Sequence, residues 1–114
     1  MKKPNIGACL PSSGSFPAEH GVAQMARQLE QAGFSSLWVS DHVVMPSQIQ
    51  AAYPFAKDKK ATWRTDIPWY DALMILAMVA TVTKKVELGT AVLVLPLRHP
   101  VIFAKQAATI DALS

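Results

Sequence analysis

The sequence predicts an α/β fold, a parallel βαβαβα arrangement in which three strands alternate with three helices. Three observations predict it. Short apolar runs with the character of strands occur at residues 5–10, 36–39 and 86–95. Each is followed by a stretch of helical periodicity or by an apolar segment long enough to be a buried helix. The connections after strands one and two are long, whereas those after the first two helices are about three residues each. Alternating strands and helices imply right-handed crossovers and a parallel sheet. Two layouts satisfy this, a doubly wound sheet covered on both faces and a barrel with every helix outside. The bias in loop length fits the barrel, with a site at one rim. An eight-stranded barrel takes about 250 residues, so the 114 residues here are expected to be the first three units of a (β/α)8 TIM-type barrel. On this reading residues 1–114 form the N-terminal portion of one domain and stop before a fourth strand. The strands should lie in the order one, two, three, with all helices on one face.

Strand one carries Ile6, Ala8, Cys9 and Leu10 and is ended by the turn-forming Pro11-Ser12-Ser13-Gly14. Pro17 and Glu19 suit a helix start, and Val22, Met25, Ala26 and Leu29 then recur at helical spacing, giving one amphipathic helix despite Gly21. Gly33 is its left-handed C-cap, with Phe34 folding back on the last turn. Leu37, Trp38 and Val39 form a second strand, read as buried on both faces, and Ser40-Asp41-His42 marks its carboxyl end. In sheets built from βα units, ligands sit beyond the carboxyl ends of strands, so Asp41 and His42 are site candidates. The bland alternative is a turn with a local hydrogen bond.

Residues 43–68 lack periodicity over a span too long for an ordinary connection. They carry Tyr53, Phe55 and Trp63 among Lys57, Lys59, Lys60 and Arg64, a mixture able to stack bases and neutralise phosphates. Asp58 and Asp66 dilute it, so a solvated lid is the expected reading, without nucleic acid. Asp71 can cap the next helix, residues 72–82, which begins with nine residues apolar around the whole circumference, Ala72 to Ala80. Its outward Met and Ile residues are expected to pair two copies into a homo-oligomer, a dimer through this helix. In strand three, Gly89-Thr90-Ala91 interrupts a leucine- and valine-rich run, which marks a bulge or the close approach of a ligand. Leu97-Arg98-His99 is a short loop, and Pro100 opens a last helix with Phe103, Ala107, Ile110 and Leu113 on one face.

Composition narrows the function classes. With 51% hydrophobic and 17% charged residues the chain is neither disordered nor fibrous, and no apolar run approaches a membrane span. No signal-type stretch follows Met1, and a lone cysteine cannot make an internal disulfide, so a cytoplasmic protein with Cys9 as a buried filler is expected. The net charge of +3 is mild, and three of the eleven basic residues crowd into Lys57, Lys59 and Lys60. That suggests a small anionic ligand before a polyanion or a membrane surface.

Three blocks now carry a resemblance. Residues 33–42 (GFSSLWVSDH), 88–100 (LGTAVLVLPLRHP) and 104–114 (AKQAATIDALS) resemble the N-terminal part of the bacterial luciferase-like monooxygenase family, which includes the F420-dependent oxidoreductases. The resemblance implies a barrel that binds FMN or F420 at its carboxyl rim and acts on a small-molecule substrate. It implies that His42 lies by the reactive edge of the ring, with Asp41 beside it, and that Thr90, Ala91 and Val92 form a bulge packed against the ring face. It also implies a non-prolyl cis peptide between Ala91 and Val92 and pairing through helices of the region of residues 72–82. The later strands and the usual phosphate-holding loops are absent from these residues, so the chain alone is expected to bind cofactor poorly, although Lys57, Lys59, Lys60 and Arg64 attract its phosphate. His42 would stabilise charge or shuttle a proton while the cofactor does the redox chemistry. Two other classes compete. Asp41, His42 and His99 all fall at strand ends and could hold a metal in a hydrolase. Alternatively the chain is an inactive barrel fragment acting only in assembly. His20 reads as a surface residue.

Overall fold

The computed structural model describes residues 4–114 and contains three parallel strands in the spatial order β1-β2-β3. They are β1 (Gly7–Leu10), β2 (Ser36–Val39) and β3 (Glu87–Thr90), with Cys9, Trp38 and Gly89 aligned across the sheet. Between and after them run α1 (Phe16–His20), α2 (Val22–Gln31), α3 (Ala72–Ala80) and α4 (Pro100–Leu113). Side chains alternate along each strand. Leu10, Leu37 and Val39 therefore face one way, into a core with Val22, Ala26, Ala72, Ile75 and Val79 of the helices. The opposite face carries Cys9, Trp38 and Glu87, all exposed. The strand order and the one-sided placement of the helices agree with the barrel layout.

Several expectations are corrected. The helix after strand one is two helices, because Gly21 sits at φ 73° and ψ 107°, a conformation outside the helical region that glycine alone adopts cheaply. Pro17 is buried in α1, and α2 starts afresh at Val22. Its end is as expected. Gly33 N–H donates to the Glu30 carbonyl and Phe34 N–H to the Leu29 carbonyl, the paired bonds of a Schellman motif. Strands one and three are shorter than their apolar runs, and beyond β3 the chain leaves the sheet for a 3-10 turn at Leu95–Leu97, with a cis peptide at Ala91–Val92. Strand two is buried on one face only, so Trp38 remains 38% exposed, and Cys9 is exposed on that same open face rather than filling the core.

The remaining elements explain how the rim is held. Asp71 caps α3, its Oδ1 accepting from the backbone N–H groups of Leu73 and Met74 at 2.9 and 3.1 Å. Ile75 of α3 faces the core, which leaves Met74 and Met78 as the outward residues of that helix. At the opposite end of the sheet, Glu30 Oε1 accepts from the N–H groups of Lys84, Lys85 and Val86 and fixes the turn into β3. These bonds hold the Glu30 carboxyl below its usual range. Among the described residues no helix is long and apolar enough to cross a membrane.

Candidate functional site

Asp41 follows β2 directly and is buried, yet it is not an open ligand. Its Oδ1 accepts from Arg98 Nη2 at 2.7 Å, and its Oδ2 accepts from Arg98 Nε at 3.2 Å and from the Val94 N–H at 3.0 Å. Arg98 Nη2 also donates to Asp71 Oδ2 at 3.0 Å. One guanidinium thus ties the end of β2, the cap of α3 and the loop after β3. Burial opposes ionisation of Asp41, but the Arg98 and Val94 bonds and the Arg98 charge outweigh it, so the carboxyl titrates below its usual range. Asp41 raises the Arg98 guanidinium in turn, with Asp71 adding to it against the opposing effect of burial.

His42, the next residue, has a different environment. Its ring lies 4.4 Å from the Trp69 ring in an edge-to-face arrangement and 6.0 Å from Trp63. Trp63 in turn packs edge-on against Tyr53 at 4.7 Å, and Tyr53 against Phe55 at 5.5 Å. Among the described residues neither imidazole nitrogen has a protein hydrogen-bond partner, and no buried side-chain nitrogen or oxygen is left unpaired. The imidazole nitrogens are therefore accessible to solvent. Such a group can donate to, accept from or exchange a proton with a bound molecule.

The third part of the candidate site is the end of β3. Ala91 and Val92 are exposed, Val92 at 73%, and flank the cis peptide expected between them. Thr90 aligns with the buried Val39, so its side chain belongs to the helix side of the sheet, in a cleft with Leu73 and Leu76 of α3. Only its backbone is available toward the open face. Gly89 has a cause other than a bound ligand. A Cβ there would lie 2.5 Å from Trp38 Cζ3, and one at Gly7 would lie 2.7 Å from Trp38 Nε1. The indole is laid across both neighbouring strands and needs the two glycines, with its Nε1 donating to Ser36 Oγ at 2.9 Å.

The proposed metal triad does not form. Arg98 and Val94 engage both Asp41 oxygens, His99 is an exposed residue at the N-cap of α4, and among the described residues no three His, Cys, Asp or Glu side chains are grouped to hold an ion. Lys57, Lys59 and Lys60 are exposed on the irregular loop, and Arg64 forms a solvent-exposed ion pair with Asp66 at 2.7 Å. Two residues central to the site, Arg98 and Trp69, were not singled out from the sequence. An arginine directly before a helix-opening His-Pro pair is a signal for the first, and a Trp-Tyr pair leading into the Asp71 cap for the second.

A ring-shaped redox cofactor fits this donor set. Ala91 and Val92 are exposed where the chain leaves β3, Ala91 N–H donates to the Val39 carbonyl of β2, and three residues after Val39 comes a histidine whose nitrogens make no protein hydrogen bond among the described residues. Comparison with known proteins supports the same fold. The family model described as luciferase-like monooxygenase matches residues 7–114. An uncharacterized protein of Mycobacterium tuberculosis is 36% identical over 106 residues, covering 87% of this chain and 36% of its own length. An F420-dependent glucose-6-phosphate dehydrogenase of Kineococcus radiotolerans is 33% identical, covering 82% of this chain and 23% of itself. A 4-hydroxyprotoasukamycin monooxygenase of Streptomyces nodosus subsp. asukaensis is 29% identical over the whole chain, which spans 27% of that protein. The chain thus spans no more than about a third of the length of these relatives.

Proposed function

The chain belongs to the luciferase-like monooxygenase family, and from that premise we propose that it is part of a flavin- or F420-dependent oxidoreductase or monooxygenase, with the cofactor ring at the carboxyl rim beside His42. The single observation that carries the reading is a His42 imidazole with no protein hydrogen bond among the described residues at the carboxyl end of β2, the strand whose neighbour β3 runs out into the exposed Ala91 and Val92, with Ala91 N–H donating to the Val39 carbonyl. One relative, named for F420 dependence, supports the cofactor class, and another, named a monooxygenase, supports the reaction class. When bound, FMN or F420 supplies the redox chemistry; the chain's residues orient and exclude. His42 would hold or move a proton at an imidazole nitrogen as charge changes on the ring or the small-molecule substrate. Asp41 acts at one remove, fixing the loop that bears Val94 and Arg98 and hence the course of the backbone after Val92. Trp63 and Trp69 exclude water from one side of the imidazole.

We propose further that two copies pair through α3, whose exposed Met74 and Met78 form an apolar strip. A cytoplasmic location accompanies the reading and agrees with the free thiol of Cys9. The test of function is direct. Full-length protein purified from cells should show flavin absorption, or should bind F420 or FMN with quenching of cofactor fluorescence, and His42→Ala should lose turnover while keeping its fold. Full-length protein that takes up neither cofactor and shows no redox turnover would overturn the oxidoreductase reading.

A further inference from the structure

We propose that Trp69 is the positioning residue for His42: its indole sets the plane in which the imidazole meets a bound ring. The chemistry of this inference rests on the reading of His42 above, whereas its geometry rests on contacts independent of any cofactor.

His42 leaves β2 for a long irregular segment, and among the described residues no protein hydrogen bond fixes its ring. A side chain in that situation samples several rotamers unless packing selects one. The neighbour in direct contact is Trp69, 4.4 Å away and inclined at 65°, the edge-to-face geometry that aromatic quadrupoles favour. Trp69 is itself fixed. Its backbone forms an antiparallel bridge with Ser13, and its Nε1 donates to the Arg64 carbonyl at 3.0 Å. On either side of it, Gly14 N–H donates to the Pro68 carbonyl and Tyr70 N–H to the Ser12 carbonyl, both at 2.9 Å, while the Tyr70 hydroxyl donates to the Gly14 carbonyl at 3.1 Å. The next residue, Asp71, caps α3 and meets Arg98, which grips Asp41, the residue before His42. Both partners of the aromatic contact are therefore anchored to the same rim.

Two comparisons separate positioning from simple filling. Trp69 is not a member of the hydrophobic core, and its ring partner is the imidazole. Trp63, at 6.0 Å from His42, is 40% exposed, and none of the backbone bonds just described reaches it.

The test uses full-length protein, with FMN and F420 as added cofactors, and the variants Trp69→Phe, Trp69→Leu and His42→Ala. Phenylalanine keeps an aromatic edge; leucine keeps apolar bulk without one. In cofactor-free protein, the His42 ring-proton resonances should move toward those of the exposed His99 in the Leu variant and stay near the parent values in the Phe variant. With cofactor, the Leu variant should lose about a hundredfold in kcat, as expected of a misplaced reacting group, with KM little changed, and the Phe variant should recover most of it. The inference is overturned if the Leu variant keeps the parent His42 resonances and turnover, or if Phe and Leu are equally impaired. Should His42→Ala retain full turnover, the catalytic reading of His42 fails, while the resonances still decide whether Trp69 sets the imidazole.

Discussion

Asp41 and His42 are adjacent in sequence and opposite in circumstance, one locked in an ion pair and the other held only by aromatic rings. The lock has a pH signature. Because the folded-state carboxyl of Asp41 is depressed, the unfolded state binds more protons as pH falls, so its stabilisation is full above the unfolded value of about 3.9 and is lost below it. Arg98→Met should strand a buried carboxylate and destabilise the chain by about 3 kcal/mol in denaturant unfolding at neutral pH. Its loss should shrink as the medium is acidified below about pH 4, where the carboxylate protonates. The position of Asp41 was legible from its place after a strand. Its role was not, because Arg98 lies 57 residues away in sequence and no local pattern joins them. Gly89 shows the same limit. Small residues in a strand suggested room for a ligand, but the space is taken by Trp38 of the neighbouring strand. Gly89→Ala should therefore cost about 1–3 kcal/mol through overpacking, and Trp38→Leu in the same chain should recover part of that loss. Additive losses in the double variant would contradict the contact.

At the scale of elements, propensity and periodicity place the three strands and the helical stretches among the described residues, but they merge α1 with α2 and run strand three too far. Val22, Met25 and Ala26 continue a helical spacing past Gly21 and hide the break, yet its φ of 73° ends the first helix. Strand three was read through to residue 95 since leucine and valine continue there, and the turn that cuts it short depends on Asp41 accepting from the Val94 N–H. α3 was the most legible. Its cap is also its link to the site, so Asp71→Ala should cost about 1 kcal/mol as a lost cap and should loosen the Arg98 grip, seen as faster amide exchange at Val94. The apolar circumference of α3 suggested an outward strip of Met and Ile, and the structure narrows it to Met74 and Met78. If two copies pair through that strip, Met74→Glu with Met78→Glu should shift sedimentation toward the monomer without changing helix content. A parent protein that sediments as a monomer at high concentration would remove the proposal.

Taken whole, the molecule is a three-stranded sheet with helices packed on one face and the other face open. Cys9, Trp38 and Glu87 line that open side, and on the helix side α3, β3 and α4 border a cleft of about 570 Å³. Phe103, Ala107 and Ile110 of α4 turn toward this cleft, and none of the residues of α4 is fully buried. A small-molecule site ordinarily encloses most of its ligand's surface. His42, the Ala91–Val92 backbone and the aromatic wall supply only one side of such an enclosure. Residues 1–114 by themselves should therefore bind FMN or F420 more weakly than micromolar. What binding there is should come largely from Lys57, Lys59 and Lys60 attracting the phosphate, with the Arg64 charge partly offset by Asp66. Attraction by exposed lysines is screened at a Debye length of about 8 Å in physiological salt, so it should fade as sodium chloride is raised. Quenching of cofactor fluorescence, titrated at low and high salt, measures both effects. Micromolar, salt-insensitive binding by these residues alone would mean that the described rim already encloses the ring.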